Sequence, residues 1–468
     1  MRGISAMRIL NLLLISVLFT SFFADSVLTQ SKQERRRIEK SKRLVIEGDN
    51  FFRQKNYRDA IRKYSEAIAT LPTNPYAYFS KGYCHYNLGE LDQAIIDLST
   101  ALEQGYRPLD VYTIRWQAYF WRKDYDLAIK DLQSALQIQP SNAYFNLALG
   151  DIYRAKQDFR NALQYYKKAA ELDNQNPDVH FFIAVCHNQL GDYASQREAA
   201  MEALKRGTKY RAESWVYIGQ TAQLLRKYAE AAEAYKEAIQ EKNDIGKGVY
   251  FNLSEVYRLL NRFNDSIDIL KRGVAIYPDD GNFYVNLSWI YSLADRHEDA
   301  VAAAQRAIQM LPNEHMGYTN LCRAYNDLKQ FNKAIEACNN ALKIKPDDGE
   351  TFFYLARAHD FLGNREQADS FYKKAVLGLV DFTKSNPNYS DGFYLLGNAY
   401  LAVNERSKAI EAYKKSLEIA PNFAKARYNL GYAYLISGNK QLAREQYEAL
   451  LNIDQNLAAR LLEVINKR

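Results

Sequence analysis

Two Cys-His pairs, Cys84-His85 and Cys186-His187, are the residues whose types come nearest to a metal site. Thiolates and imidazoles are ligands that zinc prefers, and a structural zinc site uses four of them. The sequence places six helices between the two pairs, at roughly 8–10 Å per helix. The pairs therefore cannot share one ion, and we predict no metal ligand among them.

No other arrangement of residues predicts catalysis. The sequence contains no glycine-rich phosphate loop and no HExxH, GxSxG or CxxC motif. His85, His187 and His359 share one position of the repeating pattern described below, where a ring normally packs in the core. We expect them to be partly buried structural side chains. The sequence thus predicts no catalytic residue and no cofactor, and the chain is not predicted to be an enzyme.

The sequence around these residues repeats with a period of 34 residues, and this repeat predicts the helices that position them. The stretch 315–348 shows the pattern most clearly. Its first half places four apolar residues at the i, i+3, i+4, i+7 spacing of a helix face: Tyr318, Leu321, Cys322 and Tyr325. The second half repeats this logic and ends at Pro346, which cannot continue a helix. Small residues at positions 8, 20 and 27 let two backbones approach closely, so each period is predicted to form a helical hairpin.

This spacing resembles the tetratricopeptide repeat, with a large residue at position 4, Tyr at 11, Ala at 20 and 27, and Pro at 32. Twelve copies fit within residues 41–456, starting at Ser41, Pro75, Leu109, Ala143, Pro177, Ala212, Lys247, Gly281, His315, Gly349, Ser390 and Ala424. The resemblance implies an all-α fold: a right-handed α-solenoid superhelix of about twelve tetratricopeptide helical hairpins, whose first helices line a concave groove. Residues 457–468 are apolar on one side only, so we predict a C-terminal capping helix.

Two repeats depart from the pattern. Repeat five has Gln196 where Ala is expected and Ala200 where a ring is expected, so its packing should be looser. The second helix of repeat ten is predicted to run on as far as Pro387, well beyond the norm.

The N-terminus has the organisation of a secretory signal peptide. Arg2 and Arg8 precede an apolar run, residues 9–23, that is short for a membrane span, and small residues suit a cleavage site after Ser26. We predict a signal peptide at residues 1–26 and hence an exported, periplasmic or cell-envelope protein. A membrane anchor formed by residues 9–23, or secretion, stays open as an alternative. Residues 27–40 are predicted to be a charged linker.

The charge balance argues against a nucleic-acid partner. The 62 basic and 55 acidic residues give a net charge of +7, and the two signs are interspersed along the repeats, so no nucleic-acid partner is predicted. Basic residues cluster only at residues 32–37. That cluster is either a solvated face or a contact with anionic lipid, so peripheral membrane association is an open alternative.

The four cysteines follow the repeat and do not form a disulfide framework. Cys322 and Cys338 lie in the two helices of one hairpin. In an oxidising compartment they can form a disulfide if their Cα atoms come within about 7 Å. The sequence leaves this pairing open.

Positions 2, 5, 6, 9, 12 and 13 of the first helix lie opposite its apolar stripe. In tetratricopeptide repeats that side faces the groove. Position 6 is asparagine in four repeats, and position 9 adds a tryptophan and two arginines: Asn252, Asn286, Asn320, Asn429, Trp289, Arg323 and Arg357. An amide both donates to and accepts from a peptide backbone, so we predict that these seven residues bind a partner segment. The alternative is that asparagine is merely tolerated here and contacts solvent.

The carboxylate-clamp variety of the repeat, which grips the C-termini of heat-shock chaperones, needs Lys at position 5 and Asn at position 9 of its first repeat. Repeat one has Val45 and Asp49 there, so this activity is disfavoured. The sequence instead predicts a non-catalytic exported scaffold or adaptor that binds extended segments of partner proteins in the groove of repeats seven to twelve. The alternative is a holdase-type chaperone or assembly factor for exported or envelope proteins.

Overall fold

The computed structural model describes residues 32–467. The signal peptide or anchor predicted at residues 1–26 lies outside the described residues, as do residues 27–31 and Arg468. Within the described part, the regular structure consists of α-helices alone, which follow one another along the chain as twelve successive pairs and one further helix. The predicted fold class is therefore confirmed.

The chain divides into two compact units between Gly191 and Asp192. The described helices of unit 1 are α1 (Lys32–Arg53), α2 (Tyr57–Thr70), α3 (Pro75–Asn87), α4 (Leu91–Glu103), α5 (Pro108–Trp121), α6 (Tyr125–Ile138), α7 (Ala143–Ala155), α8 (Phe159–Leu172) and α9 (Asp178–Gln189). Those of unit 2 are α10 (Tyr193–Arg206), α11 (Arg211–Leu224), α12 (Tyr228–Glu241), α13 (Lys247–Leu259), α14 (Phe263–Ile276), α15 (Asn282–Leu293), α16 (His297–Met310), α17 (His315–Asp327), α18 (Phe331–Ile344), α19 (Gly349–Phe361), α20 (Arg365–Ser385), α21 (Ser390–Ala402), α22 (Arg406–Ile419), α23 (Ala424–Ile436), α24 (Lys440–Leu451) and α25 (Gln455–Lys467).

Each hairpin turns through a residue with left-handed backbone conformation at position 15. Four of these residues are glycines: Gly89, Gly191, Gly363 and Gly438. The other eight carry side chains: Lys55, Lys123, Gln157, Arg226, Asn261, Asp295, Lys329 and Asn404. A side chain makes this conformation unfavourable by about 1–2 kcal/mol. Packing between the two helices must therefore hold the turn.

That packing uses a small residue at position 8 and a large one at position 24. In four repeats a glycine faces a nearly or fully buried tyrosine: Gly48 with Tyr64, Gly150 with Tyr166, Gly219 with Tyr235, and Gly397 with Tyr413. A Cβ atom on Gly150 would lie 2.5 Å from the Tyr166 ring, which is closer than nonbonded atoms can approach. The close approach of backbones that the pattern predicts is present.

Repeat nine fills the same two positions with Cys322 and Cys338, which form a disulfide between α17 and α18. Their Cα atoms are 5.3 Å apart, and both residues are fully buried. A covalent bond thus replaces the contact of a ring with a glycine. The pairing that the sequence left open is formed in the structure.

Each second helix packs on the first helix of the next repeat. First helices of neighbouring repeats also touch in repeats one to three and in repeats seven to twelve, as in the row α15, α17 and α19. One side of the repeats is therefore built from first helices, as the family resemblance implies. Side chains at positions 2, 5, 6, 9, 12 and 13 decide what this side can bind.

The predicted charged linker is wrong over residues 32–40, which form the first turns of α1. The prediction required an apolar face before a helix could be assigned. Lys, Gln, Glu and Arg favour helix without one, so a helix anchored in repeat one extends through them on propensity alone. At the other end, α25 buries Ala458, Leu461 and Ile465 against the last hairpin, so the predicted capping helix is present.

Repeat ten has the long second helix that its sequence indicates. α20 contains 21 residues, whereas α18 and α22 contain 14 each. The added turns carry the chain about 10 Å farther before it returns to begin repeat eleven. No described helix combines the length and the apolar composition that crossing a bilayer requires.

Candidate protein-binding surfaces

Unit 1 carries a row of aromatic rings on the first-helix side of repeats one to three. We call these rings the aromatic stripe: Phe52, Tyr76, Phe79, Tyr83, Tyr86, Tyr106 and Trp121. Neighbouring rings contact each other, with centroids 5.4 Å apart for Phe52 and Tyr83 and 4.6 Å apart for Phe79 and Tyr106. The rings form a surface that runs from α1 across α3 to α5.

Every residue of the aromatic stripe is at least partly exposed. The two most exposed are Trp121, at 65% of its full accessible surface, and Tyr76, at 38%. The Tyr76 hydroxyl donates to Asp49 Oδ1 at 3.1 Å, and the Tyr86 hydroxyl donates to Gln117 Oε1 at 2.9 Å. Burial raises the pKa of both hydroxyls, so they stay protonated donors at neutral pH. These bonds fix the orientation of the two rings.

In unit 2 the chain itself covers the same side of the first helices. Arg258, at position 12 of repeat seven, is only 4% exposed. Its Nη1 lies 2.7 Å from Asp391 Oδ2, while Nε and Nη2 donate to the two carboxylate oxygens of Glu255 at 2.7 and 2.6 Å. Asp391 belongs to α21, four repeats farther along the chain. This buried ion pair joins repeats seven and eleven within unit 2.

Aromatic contacts accompany the ion pair. The Trp289 ring centroid lies 5.0 Å from Arg258 Cζ and 6.0 Å from the ring centroid of Tyr389. Tyr389 stands in the turn between α20 and α21 and packs edge-on against Phe382. Burial raises the pKa of Tyr389 well above its usual value, so its hydroxyl stays neutral beside the carboxylates. Trp289, which we predicted to bind a partner, here contacts the start of repeat eleven.

Arg323, the second predicted residue at position 9, also contacts other residues of the chain. It is 8% exposed, forms an ion pair with Glu350, and places Cζ 4.9 Å from the Tyr354 ring centroid. Burial raises the pKa of Glu350, and the charge of Arg323 opposes that shift. We call Glu255, Arg258, Trp289 and Arg323 together the closed face.

Further contacts surround the closed face. The Tyr228 hydroxyl donates to the Ile419 carbonyl at 2.7 Å, and Leu259 lies in an apolar cluster with Ala420 and Phe423. Three polar contacts add to these: Arg226 with the Glu418 carbonyl, Asn261 with the Asn422 carbonyl, and Lys425 with Asp295. Repeats six to eight and repeats eleven and twelve are therefore in contact within unit 2.

The predicted asparagine ladder is not uniformly accessible. Asn320 is 1% exposed, and its Nδ2 donates to Val285 O at 3.0 Å and to Ser288 Oγ at 2.9 Å. Its side chain therefore ties α17 to α15 and is not presented to a partner in this conformation. Asn286 is partly exposed and donates to Asn282 O in its own helix.

The remaining predicted residues lie at separate points of unit 2. Asn252 is partly buried, and its side chain lowers the pKa of the Tyr235 hydroxyl, against the larger effect of burial, which raises it. Asn429 donates to Asn398 Oδ1 at 2.7 Å. Arg357 is partly exposed, with Nη1 3.0 Å from Asp327 Oδ1. The structure thus brings Trp289 and Arg323 to the closed face and leaves the other predicted residues elsewhere on the first-helix side.

The Cys-His pairs are buried parts of the hairpins. Burial raises the pKa of the Cys84 and Cys186 thiols to about 12, so both stay protonated at neutral pH. His85 lies between two carboxylates, with Nδ1 2.6 Å from Glu90 Oε2. Within residues 32–467 no three His, Cys, Asp or Glu side chains are grouped so that they could hold a metal ion.

Sequence reasoning missed both the aromatic stripe and the partners of the closed face. The stripe includes Tyr76, Phe79, Tyr83 and Tyr86 at positions 2, 5, 9 and 12, which we assigned to the groove side, but only asparagine, tryptophan and arginine were singled out at these positions. Asp391 could not be linked to Arg258 because the contact spans four repeats. The one available signal was the insertion in repeat ten, which alters where repeat eleven begins.

Sequence models described as TPR repeat match residues 117–153, 150–191 and 397–438. Models described as tetratricopeptide repeat match residues 47–107 and 218–281, 316–348, and 350–377 and 424–457. Together these matches cover more than half of the chain. The chain belongs to the tetratricopeptide repeat family. The resemblance that the 34-residue period suggested is confirmed.

Among curated proteins, this tetratricopeptide repeat protein is similar to two Hsp70-Hsp90 organizing proteins of Arabidopsis thaliana. Protein 2 is 33% identical over 95 residues, which are 20% of this chain and 17% of that protein. Protein 3 is 27% identical over 166 residues, 34% and 29% of the two chains. Anaphase-promoting complex subunit 3 of Schizosaccharomyces pombe is 23% identical over 224 residues, 45% and 34%. The match spans less than a third of each of the two plant proteins.

Two solved structures give similar alignments. The APC/C hetero-tetramer Cut9-Hcn1 aligns with a TM-score of 0.36 at 14% identity, covering 92% of this chain and 98% of that chain. Yeast Tom70 aligns with a TM-score of 0.34 at 14% identity, covering 91% and 95%. At these values the similarity carries no argument about function.

Proposed function

We propose that this protein is a non-catalytic scaffold or adaptor that binds extended segments of other proteins on the first-helix side of its repeats. Tetratricopeptide repeats are protein-interaction modules, and the similar proteins are named for organizing chaperones or for being part of a complex. The observation that carries the proposal is the aromatic stripe. Contiguous, partly exposed rings on consecutive first helices are the kind of surface that anchors a partner.

The stripe suits an extended, largely apolar segment. Consecutive helices lie roughly 8–10 Å apart, and an extended chain advances about 3.3 Å per residue. An apolar side chain at about every third residue of the partner would therefore meet each first helix in turn. Covering an exposed ring contributes about 1.5–3 kcal/mol for each ring fully buried.

The predicted groove of repeats seven to twelve is the second candidate surface. Asn252, Asn286 and Arg357 are accessible enough to contact a partner, but Asn320 and Arg323 are buried and Trp289 packs on Tyr389. A segment could reach Trp289 only by displacing Tyr389 at the start of repeat eleven, and Asn320 and Arg323 are held by repeats eight and ten. We therefore place the primary binding surface on the aromatic stripe of unit 1.

Stripe binding is tested with Phe79→Ser/Tyr83→Ser in the chain 27–468. The matched control is Leu127→Ser/Ile138→Ser, which removes two exposed apolar side chains from a second helix of the same unit. Partners captured from an envelope extract by the parent are identified, and the affinity of one purified partner is measured by calorimetry. We expect the stripe variant to bind at least about tenfold more weakly and the control to bind normally. Equal affinity for all three proteins overturns the proposal.

A holdase-type chaperone is the second candidate function. One observation favours it: the Tyr76 and Tyr86 hydroxyls are already bonded within the chain, so the rings offer contact area with little sequence selection. A holdase would suppress aggregation of an unrelated unfolded protein, such as reduced insulin, and the stripe variant would not. A scaffold would leave insulin aggregation unchanged and would bind its partner at a fixed stoichiometry.

Export is part of the proposal. It is supported by the apolar run after Arg2 and Arg8 and by the Cys322–Cys338 disulfide, since disulfides persist mainly in oxidising compartments. N-terminal sequencing of the chain isolated from its native cells should give Val27 as the first residue. A first residue of Met1 or Arg2 in the membrane fraction would support the anchor, and Met1 in the cytosolic fraction would contradict export.

A further inference from the structure

Three consecutive residues of the chain occupy the closed face. The Tyr389 ring faces Trp289, Ser390 Oγ accepts from Arg258 Nη2 at 3.3 Å, and Asp391 pairs with Arg258 Nη1 at 2.7 Å. Asp391 is 5% exposed. The turn thus presents an aromatic ring and, two residues later, a carboxylate to one tryptophan and one arginine.

This contact is not part of ordinary stacking between repeats. Repeat eleven begins at Ser390 and stacks on repeats ten and twelve, whereas Arg258 and Trp289 belong to repeats seven and eight. The chain reaches them after the added turns of α20, which the neighbouring repeats lack. The backbone of Tyr389 is extended, with φ −102° and ψ 99°. Ser390 and Asp391 follow as the first two residues of α21. The end of the turn and the first turn of a helix therefore lie on the first-helix side of other repeats.

We propose that Tyr389-Ser390-Asp391 is an internal pseudo-ligand, and that the closed face is a second peptide-binding site for partner segments with an aromatic residue followed two residues later by a carboxylate. This inference rests on the proposed function only in taking the partner to be an extended protein segment. An incoming segment places its ring on Trp289 and its carboxylate on Arg258, while Tyr389 and the first turn of α21 move away.

The chemistry of the face selects this class of segment. Arg258 is buried between two carboxylates, so a segment that buries it again must replace the carboxylate of Asp391 with one of its own. Glu255, on the same helix, accepts hydrogen bonds from Nε and Nη2 of Arg258. Nη1 of Arg258 is therefore directed away from Glu255 and can pair with a second carboxylate. The indole of Trp289 offers a flat apolar face beside that charge. A segment with a ring but no carboxylate would leave Arg258 only partly paired.

The tether makes the turn a strong competitor. A segment held on a short connection acts at an effective concentration in the millimolar range. A free peptide with the same residues therefore binds the parent chain poorly. Removing the side chains of the turn removes the competitor and leaves the face able to bind the same peptide.

The probe is a fluorescent peptide with the sequence SNPNYSDG, which is residues 385–392 of the chain, and binding is followed by anisotropy. The chain 27–468 is compared with Tyr389→Ala/Asp391→Asn. We expect the variant to bind the peptide at least about tenfold more tightly than the parent. A control peptide, SNPNYSNG, should bind neither protein. Failure of the folded variant to bind, or equal binding of the two peptides, overturns the proposal.

Hydrogen exchange in the parent chain provides the second test, because the turn variant could lose structure. Excess peptide should accelerate exchange of the amides at residues 388–392 by at least about threefold, while exchange of the stripe helices stays unchanged. A variant that loses helicity, together with unchanged exchange in the parent, shows that the turn is a fixed part of the core. The stripe is intact in both proteins, so either proposal can fail without the other.

Discussion

The first-helix side of repeats one to three and that of repeats seven to nine use the same positions with opposite results. At positions 9 and 12, repeat two carries Tyr83 and Tyr86, and repeat seven carries Glu255 and Arg258. The tyrosine rings contact one another and remain partly exposed, whereas the buried arginine is paired with Asp391 of repeat eleven. Position in the repeat decides which side a residue faces. The residue type, together with the side chains that later repeats bring into contact, decides whether that residue is covered by the chain itself or stays available to a partner.

The largest expected effect comes from removing the arginine of the closed face. Arg258→Ala leaves Glu255 and Asp391 without their shared cation, and breaking a buried pair in this way costs about 3–5 kcal/mol. Arg262→Ala is the matched control, because Arg262 is an exposed arginine paired with Asp265 and its loss should cost about 0–1 kcal/mol. Denaturant unfolding measures both values, and hydrogen exchange should place the loss in unit 2. Equal effects would show that the closed face is not a buried ion-pair site.

The second-largest effect is expected from reduction of the disulfide, which should destabilise unit 2 and leave the stability of unit 1 unchanged. A closed loop of about 15 residues contributes about 3 kcal/mol, so Cys322→Ala/Cys338→Ala should destabilise unit 2 by about that amount. Dithiothreitol should have the same effect on the parent and none on the variant. In unit 1, Cys84 and Cys186 are unbonded, and exchange rates there should not change. Loss of protection in unit 1 on reduction would contradict this division.

Acid sensitivity should depend on Asp348, which begins α19 beside Glu350. Burial alone would raise the pKa of Asp348, but hydrogen bonds from His315 and Thr351 and the charge of Lys345 lower it below its usual value. The stabilisation is therefore present above the unfolded pKa of about 3.9 and is lost as pH falls through the lower folded value. Asp348→Asn should cost about 1–2 kcal/mol at pH 7.

The cost of Asp348→Asn should shrink as the pH falls below about 4. The exposed neighbour Asp347 is the control, and Asp347→Asn should change stability little at any pH. A cost for Asp348→Asn that is constant between pH 7 and pH 2 would show that the charge of the carboxylate contributes nothing.

The smallest difference is expected between two rungs of the asparagine ladder. Asn320→Ala removes two hydrogen bonds between α17 and α15 and should cost about 1–2 kcal/mol. Asn286→Ala, at the same position one repeat earlier, should cost at most about 0.5 kcal/mol because its amide bonds only within its own helix. Equal thermal shifts for the two variants would show that Asn320 is not a structural link.

Much of the fold follows from the sequence because each hairpin is a local structure. The 34-residue period located twelve hairpins, and small residues at position 8 anticipated contacts such as that of Gly150 with Tyr166. The departures of repeat five, including Gln196, fall where the chain divides into its two units. Residues 32–40 were misassigned because a helix can extend on propensity without an apolar face.

The candidate site was less predictable because it depends on contacts between distant repeats. Trp289 and Arg323 were correctly placed on the first-helix side, but their neighbours Tyr389 and Glu350 come from repeats farther along the chain. The repeat pattern predicts only structure that recurs in every repeat, whereas the turn after α20 occurs once in the chain. The aromatic stripe was overlooked for a different reason, since aromatic residues also fill core positions such as 24, where Tyr166 packs on Gly150.

Hydroxyl-radical footprinting of the intact chain, read by mass spectrometry at each aromatic residue, tests the central comparison most directly. If the account is right, Tyr76 and Trp121 of the aromatic stripe oxidise rapidly, while Trp289 and Tyr389 at the closed face oxidise several-fold more slowly. Oxidation of Trp289 and Tyr389 as fast as that of Trp121 would show that repeat eleven does not cover the face, and the distinction between the two regions would be lost.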